Sequence, residues 1–189
     1  MAWTASAQCE RALRNINLVL ADTRRHVASL EATTSRADID RTRALALGAM
    51  VTVSEDYCQA VLGQLVDSGV RSNATGQWLW DEVATRAFMA WESHLGLWAR
   101  WGVNVFKASE YKDFRGLIEA RNAAVHGFGQ LTRVQQRKAG VIDRIQNGGL
   151  TVSGTRVVID DAALRICRSR SHDFIRFLDH EFQILATPP

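Results

Sequence analysis

Apolar and polar positions follow a helical period along most of this chain. Between Leu13 and Leu30 the apolar side chains fall close to an a/d heptad, the spacing that lines one face of a helix. Both prolines stand at the extreme C-terminus, so no proline interrupts a long helix in the body of the chain. Together with capping and turn residues, this pattern predicts six helices. They cover approximately residues 3–31, 36–66, 77–107, 109–126, 132–145 and 160–185.

One segment departs from the helical period and predicts β-structure. Residues 150–159 are rich in β-branched side chains on either side of Ser153 and Gly154, which favours a small hairpin that turns there. Because an isolated hairpin is only marginally stable in water, we expect it to pack on the helices. The first two helices should form an antiparallel pair, since a short loop joins them. The sequence therefore predicts an all-α fold: a single domain over 1–189, with five to six bundled helices and a hairpin inserted at about 148–160.

The composition is that of a globular protein and excludes several other classes. Apolar residues make up 47% of the chain and charged residues 23%, and the net charge of +3 is too small to indicate a nucleic-acid coat. No uncharged stretch reaches the ~20 residues of a membrane span, and the N-terminus does not have a secretory pattern. Cys9, Cys58 and Cys167 have neither disulfide nor zinc spacing. We expect a cytoplasmic protein with reduced thiols and no membrane partner.

Neither a cofactor nor a metal ion is expected, because the sequence contains no motif that binds one. The chain has no phosphate-binding loop, no nucleophile elbow and no H-E-x-x-H zinc motif. His172 and His180 stand too far apart to form a metal-ligand motif with their neighbours. The polar residues between 172 and 181 are most simply a polar face of the last helix.

The third predicted helix holds five of the six tryptophans. Trp91, Trp98 and Trp101 recur on one stripe, which predicts a packed core, and a base-stacking platform is the weaker alternative. Glu92 and His94 stand beside the stripe. The simplest interpretation is that both are boundary residues with hydrogen-bond partners.

The fourth predicted helix has ordinary boundary signals. Ser109 can cap its start, and Gly127 can supply the left-handed residue at its end. Its apolar residues at helical spacing predict a buried stripe. These residues are Phe114, Leu117, Ile118 and Val125.

Three polar side chains stand where this stripe calls for apolar ones. Arg121 falls on the same ridge as Val125, and Asn122 and His126 follow each other four residues apart on the next ridge. Burying a guanidinium, an amide and an imidazole costs several kcal/mol unless partners satisfy them. This cluster is therefore the feature of the sequence that most needs an explanation.

The cluster suits metal-free cleavage of a phosphodiester in RNA. Histidine exchanges protons near neutral pH, and arginine can hold a phosphate and stabilise the charge that develops on it. RNA supplies its own nucleophile, the 2′-hydroxyl, and Asn122 would orient the imidazole or the phosphate. In the basic helix that follows, Arg133, Arg137 and Lys138 either bind the substrate or form a solvated face. The alternative interpretation of the cluster is structural, as polar residues that join helices or subunits.

The sequence Arg121-Asn-x-x-x-His126-Gly at a helix end resembles the R-x(4–6)-H motif of the HEPN superfamily. The order of elements is similar too: a long helical hairpin, a third helix, the motif helix and a last helix. Trp91-Glu92 is similar to a W-E pair that some families of this superfamily carry on the third helix. The resemblance covers most of the chain in architecture but few specific residues.

The resemblance implies a homodimer that brings two motifs into one cleft. Arg121 and His126 would be catalytic, Asn122 supporting and Glu92 a polar helper in a metal-independent ribonuclease of toxin–antitoxin or anti-phage defence type. Its partners would be RNA and an antitoxin or another protein. The alternative that it implies is a non-catalytic HEPN module that binds a nucleotide, RNA or protein. HEPN toxins silenced by a nucleotidyltransferase carry a Tyr two residues after the His; Phe128 stands there, so nucleotidylation at that site is impossible.

Overall fold

The computed structural model describes residues 3–31, 35–70 and 91–186, and these form a helical bundle with one small hairpin. The helices are α1 Ala7–Leu30, α2 Arg36–Val70, α3 Trp91–Arg100, α4 Ser109–Gly127, α5 Arg133–Arg137, α6 Val141–Asn147 and α7 Asp161–Ala186. A 3₁₀ turn covers Val105–Lys107, and strands β1 Thr151–Ser153 and β2 Arg156–Val158 pair in antiparallel fashion. This confirms the predicted all-α bundle with a late hairpin. Within the described ranges, no helix is long and apolar enough to cross a membrane.

The first two helices run antiparallel, as predicted. At one end of the pair, Gln64 Nε2 donates a hydrogen bond to Gln8 Oε1 at 3.0 Å. At the other end, Arg43 lies 3.8 Å from Glu31. Ile16, Leu20 and Val27 of the α1 heptad are buried, as its spacing predicts, whereas Leu13 and Leu30 at its two ends are partly buried.

The bounds of three helices differ from the predicted ones. α1 begins at Ala7 rather than at residue 3, because the Ser6 hydroxyl caps it by accepting a hydrogen bond from a backbone amide of the first turn. α2 continues to Val70, past its predicted end. α3 ends at Arg100 rather than at residue 107, because Gly102 takes a φ of 87° that a helix cannot continue through.

The core lies where α2, α4 and α7 meet. Phe114 of α4 stacks on Phe174 of α7, with ring centroids 4.4 Å apart. On α3, Trp98 is fully buried and donates its indole hydrogen to Cys58 Sγ at 3.3 Å, so this part of the tryptophan row is core as predicted. Residues 77–90 of the predicted third helix lie outside the described part of the chain.

Cys9, Cys58 and Cys167 are buried free thiols. Burial raises the pKa of each to about 12. All three are therefore protonated at neutral pH and pack as small apolar side chains.

The last helix buries two polar residues that were predicted to lie on its polar face. Asp179 is fully buried and accepts hydrogen bonds from the Tyr57 hydroxyl at 2.6 Å and the Ser6 amide at 3.0 Å. His172 is also buried, and this burial, reinforced by neighbouring arginines, lowers its pKa. Asp179 thus ties the start of the chain to α2 and α7, and the prediction of a simple polar face is wrong at both residues.

The hairpin packs on the segment that follows α4. It turns at Gly154 and Thr155, one residue later than predicted. The Val157 amide donates to the Gly129 carbonyl at 2.9 Å, and the Leu131 amide donates to the Thr155 carbonyl at 2.7 Å. The hairpin therefore fixes the backbone directly after the motif helix.

The short helix predicted after α4 is in fact two helices. Thr132 and Gln135 form the predicted capping box at the start of α5, but Gly140, at a φ of 70°, separates α5 from α6. This break lets α6 turn back onto α4. A Cβ at Gly116 would lie 2.2 Å from the Arg144 carbonyl oxygen, so only glycine fits at that crossing.

Candidate functional site

The motif occupies the C-terminal part of α4, where one side of the helix still packs on the core. Phe114, Leu117 and Ala120 are fully buried and hold the helix in the bundle. Ile118 is partly buried against the same core. Val125, however, is 47% exposed, so the predicted buried stripe is wrong at this residue. The last turn of α4 therefore keeps one buried side and leaves Val125 and His126 open to other molecules.

Both predicted caps of α4 are wrong. Ala108 is the N-cap residue, and Ser109 is already helical, so its hydroxyl caps nothing. At the other end Gly127 stays helical and Phe128 takes the left-handed conformation, with φ 50° and ψ 41°. The Phe128 amide donates to the Ala123 carbonyl and so closes the helix. A bulky residue in this region of φ and ψ costs roughly 1–2 kcal/mol, which glycine would avoid.

Arg121 lies in the groove between α4 and α2, paired with Glu55. Its Nη2 donates to both carboxylate oxygens of Glu55, at 2.6 and 2.7 Å, and the two side chains are 25% and 18% exposed. Arg121 Nε is buried and has no hydrogen-bond partner in the described part of the chain. Gly48 of α2 faces this pair: a Cβ there would lie at ordinary contact distance, 3.6 Å from a Val125 methyl group and 3.8 Å from Arg121 Cγ. The guanidinium is thus anchored by one nitrogen, and a carboxylate offsets its charge.

The other motif residues face outward. Asn122 is half-buried and His126 is exposed. Among the described residues neither side chain forms a hydrogen bond or an ion pair, so the structure does not join His126 to Arg121 or to Asn122. Glu92 belongs to α3, and its side chain lies outside the described part. The imidazole can therefore reach a substrate, but nothing in the described chain fixes its orientation.

Sequence reasoning missed a buried carboxylate, Glu119, which fixes the elements after the motif. It is 7% exposed and accepts hydrogen bonds from Gln135 Nε2 at 3.0 Å and Arg144 Nη2 at 3.1 Å. Lys138 Nζ lies 3.7 Å from it. Burial by itself raises the pKa of Glu119, but the hydrogen bonds from Gln135 and Arg144 and the charge of Lys138 outweigh it, so the pKa is lowered. Glu119 thus holds α5 and α6 against the motif helix.

The predicted substrate-binding cations fall into two groups. Arg133 and Arg137 of α5 are exposed and, within the described ranges, have no carboxylate partner. Lys138 is exposed as well but takes part in the Glu119 cluster. Of these three cations, only Arg133 and Arg137 are therefore unpaired surface charges among the described residues.

A scan of protein-family models and searches of curated proteins and of solved structures find no match to this chain. Among the described residues, no group of three or more His, Cys, Asp or Glu side chains could hold a metal ion. The candidate site is therefore defined by its own geometry. It consists of an anchored guanidinium, Arg121, a half-buried amide, Asn122, and an exposed imidazole, His126, at one helix end.

Proposed function

We propose that this chain is a metal-independent endoribonuclease of the HEPN type, acting in the cytoplasm as a toxin or anti-phage effector. The observation that supports it most is that an anchored guanidinium, Arg121, and an accessible imidazole, His126, both lie at the C-terminal end of one helix. RNA cleavage without a metal needs such a phosphate-binding cation beside a proton-exchanging group. An antitoxin protein is the partner that this role implies. Phe128 has no hydroxyl group, which argues against an antitoxin that acts by nucleotidylating this position.

The proposed reaction breaks the P–O5′ bond of RNA. The 2′-oxygen attacks phosphorus while His126 takes its proton, and the 5′-oxygen leaves with a proton from the imidazolium of the second copy's motif. The products are a 2′,3′-cyclic phosphate and a 5′-hydroxyl. Arg121 stabilises the charge on the phosphoryl oxygens, and Asn122 orients the phosphate. Glu55 engages only Nη2 of Arg121 and Nε is buried, so Nη1 is the nitrogen left for the phosphate.

A homodimer would supply the second motif. Leu45 of α2 and Val125 of α4 are 61% and 47% exposed. Leu45 is one turn from Gly48, which contacts Val125, so the two apolar side chains belong to one surface around the motif. Exposed apolar patches of this kind are typical of contact surfaces. A second copy on this surface would place the two motifs opposite each other across a cleft.

The basic residues after the motif are proposed to bind the RNA backbone. Arg133 and Arg137 are exposed on α5, and Lys138 follows them. Such contacts are sequence-independent and weaken as salt is added. We retain Glu92 as a proposed polar helper beside the motif.

A non-catalytic HEPN module that binds a nucleotide, RNA or protein partner is the second candidate. It is favoured by the carboxylate of Glu55, which offsets the charge of Arg121, and by the absence of a described partner that orients His126. This candidate predicts binding without turnover and no growth arrest on expression. A nuclease predicts both turnover and growth arrest.

The proposal is tested with purified protein, labelled single-stranded RNA and EDTA. We expect cleavage in EDTA, products that end in 2′,3′-cyclic phosphate, and no cleavage of a matched strand in which every sugar is 2′-deoxy. Strict dependence on added Mg²⁺, or equal cleavage of the deoxy strand, would contradict a reaction through the 2′-hydroxyl. Binding of RNA without any cleavage would favour the non-catalytic module.

A further inference from the structure

A cavity of about 600 Å³ lies beside the motif, between the start of α2, strand β2 and the end of α4. Its apolar lining includes Ala44, Ala124 and Val157, and Phe128 lines it as well. Phe128 follows His126 by two residues, and two residues of chain span at most about 7 Å. A ligand in this cavity would therefore lie at the same helix end as the proposed catalytic histidine, whose own side chain is not part of the lining.

The backbone presents Phe128 in a fixed position. Its own amide and that of Gly129 both donate to the Ala123 carbonyl, and the Gly129 carbonyl accepts a hydrogen bond from Val157 of β2. The side chain is nevertheless 88% exposed. Neither the left-handed backbone nor the exposed ring favours phenylalanine here, so folding alone does not explain the residue. Aromatic rings that are exposed on a fixed backbone are the surfaces on which bases of single-stranded nucleic acids stack.

The charged residues at the start of α2 provide both hydrogen-bond donors and an acceptor. Asp40 pairs with Arg36 Nε at 3.3 Å and with Arg156 Nη2 at 3.0 Å. Arg41 also lines the cavity and, among the described residues, has no carboxylate partner. A planar ring on Phe128 could thus find guanidinium donors and a carboxylate acceptor at its edge.

The total charge of the lining argues against a strongly anionic ligand. Asp38 accepts a hydrogen bond from the Ser35 hydroxyl at 2.6 Å, and Asp160 accepts one from the Ala163 amide at 2.8 Å. With these two included, three arginines and three aspartates line the cavity, so its formal charge is zero. A polyphosphate site needs a surplus of positive charge. An uncharged heteroaromatic ring with donors and acceptors at its edge fits this lining better.

We infer that this cavity binds one base of single-stranded RNA, stacked on Phe128, at the same helix end as the phosphate held by Arg121 and His126. The inference rests on the proposed function and specifies its substrate. A base can enter the cavity only when it is unpaired and turned out of its strand, so duplex RNA is excluded at this position. The stacked base would also determine which phosphate reaches His126.

The test uses a His126→Ala background, in which the RNA stays intact, and a single-stranded oligoribonucleotide that carries one 2-aminopurine. Stacking on Phe128 should quench the fluorescence of this base. Phe128→Leu, which keeps an apolar side chain but removes the aromatic face, should weaken binding about tenfold and abolish the quenching. Phe128→Trp should retain both. Val134→Leu is the matched control, because Val134 is an exposed apolar residue of α5 outside the cavity lining, and it should change neither.

Two further measurements separate stacking from charge and from folding. The dissociation constants for RNA of the parent and of Phe128→Leu should both rise as salt is added, but their ratio should stay constant. Phe128→Gly should melt at the same or a higher temperature than the parent, since glycine accepts the left-handed backbone, and should still lose binding. A lower melting temperature together with unchanged binding would show a purely structural residue and overturn the inference.

The outcomes also separate this inference from the proposed function. If wild-type protein cleaves RNA but Phe128→Leu leaves quenching and affinity unchanged, the cavity site is wrong and the nuclease stands. If a mass measurement in solution shows that Phe128→Leu converts a dimer to a monomer while the quenching stays unchanged, Phe128 belongs to the dimer interface and the inference fails. If the base is quenched on Phe128 but wild-type protein cleaves nothing, the cavity site stands and the nuclease fails.

Discussion

Replacing Glu55 by leucine removes the only carboxylate that holds Arg121 among the described residues. The guanidinium would then lie in the α2–α4 groove with its Nη2 unpaired and its Nε already without a partner. Since both side chains are partly accessible, Arg121 can swing toward water and recover some of its solvation. We therefore expect a measurable loss of stability but not unfolding.

The geometry of the pair sets the magnitude of this loss. A hydrogen bond to a charged group contributes about 1.5–3 kcal/mol net. Here a single nitrogen, Nη2, serves both oxygens, whereas the stronger arrangement uses two nitrogens in parallel. The exposed fractions of 25% and 18% weaken the pair further, since water screens it. We expect Glu55→Leu to lower the free energy of unfolding by about 1–2 kcal/mol.

Urea unfolding of four proteins measures the pair: the wild type, Glu55→Leu, Arg121→Met and the double variant. Because the double variant replaces both partners by apolar side chains of similar length, its stability should return to near that of the wild type. The coupling energy from the cycle should then equal the sum of the two single losses, and so reach at least about 1–2 kcal/mol. If the polar pair serves function, the stable double variant should also fail to cleave or bind RNA.

One result would refute this reasoning. A coupling energy of zero, which is a double variant that loses as much stability as the two single variants together, would mean that the side chains act independently through other contacts. A stable double variant with full RNA activity would reduce the pair to a joint between helices, which is the structural interpretation of the cluster.

Three further predictions concern the elements that support the site. Glu119→Ala should lower the free energy of unfolding by about 3 kcal/mol at pH 7. Because folding lowers the pKa of Glu119, the stabilisation by its carboxylate is present above the unfolded pKa of about 4.3 and is lost as the pH falls below that value. Urea titrations of both proteins at pH 7 and pH 3.5 would detect this loss. Folding also lowers the pKa of His172, so wild-type stability should fall as the pH drops below about 6.5, where the unfolded chain binds a proton that the folded chain does not. His172→Gln should flatten the dependence of stability on pH between pH 7.5 and pH 5.5. An unchanged slope would contradict the burial of this imidazole. Gly116→Ala should lower the free energy of unfolding by about 3 kcal/mol or more, since the new methyl group would clash with the Arg144 carbonyl. Gly63→Ala is the matched control, because no atom lies within 4 Å of the new Cβ. In thermal melts it should be neutral or stabilising by up to about 1 kcal/mol.

The sequence predicted those parts of the fold that depend on near neighbours. The heptad of α1, the antiparallel pairing with α2, the Thr132–Gln135 capping box and the late hairpin all follow from signals a few residues long. The buried stripe of α4 was right at Phe114 and Leu117 for the same reason. The exposure of Val125 could not be predicted in this way, because it depends on which side of α4 the neighbouring elements cover.

The details of the candidate site depend on contacts between distant parts of the chain. Glu55 is 66 residues from Arg121, and no local pattern of α2 marks it as the partner. The same holds for Glu119, whose partners lie on α5 and α6. Phe128 did carry a local signal, since a large aromatic residue stands between two glycines at a helix end. That pattern was interpreted as a glycine cap, which placed the left-handed residue one position too early.

The central claim is that Arg121 and His126 cleave RNA, and the rate of cleavage by purified variants in EDTA tests it most directly. His126→Ala should slow cleavage at least about 100-fold, the usual contribution of a positioned acid or base, and Arg121→Ala should slow it to a similar extent. His26→Ala is the matched control, because His26 is also an exposed helical histidine but lies on α1. It should cleave at the wild-type rate, and circular dichroism should show that all three variants are folded. Cleavage at the wild-type rate by both His126→Ala and Arg121→Ala would contradict the account.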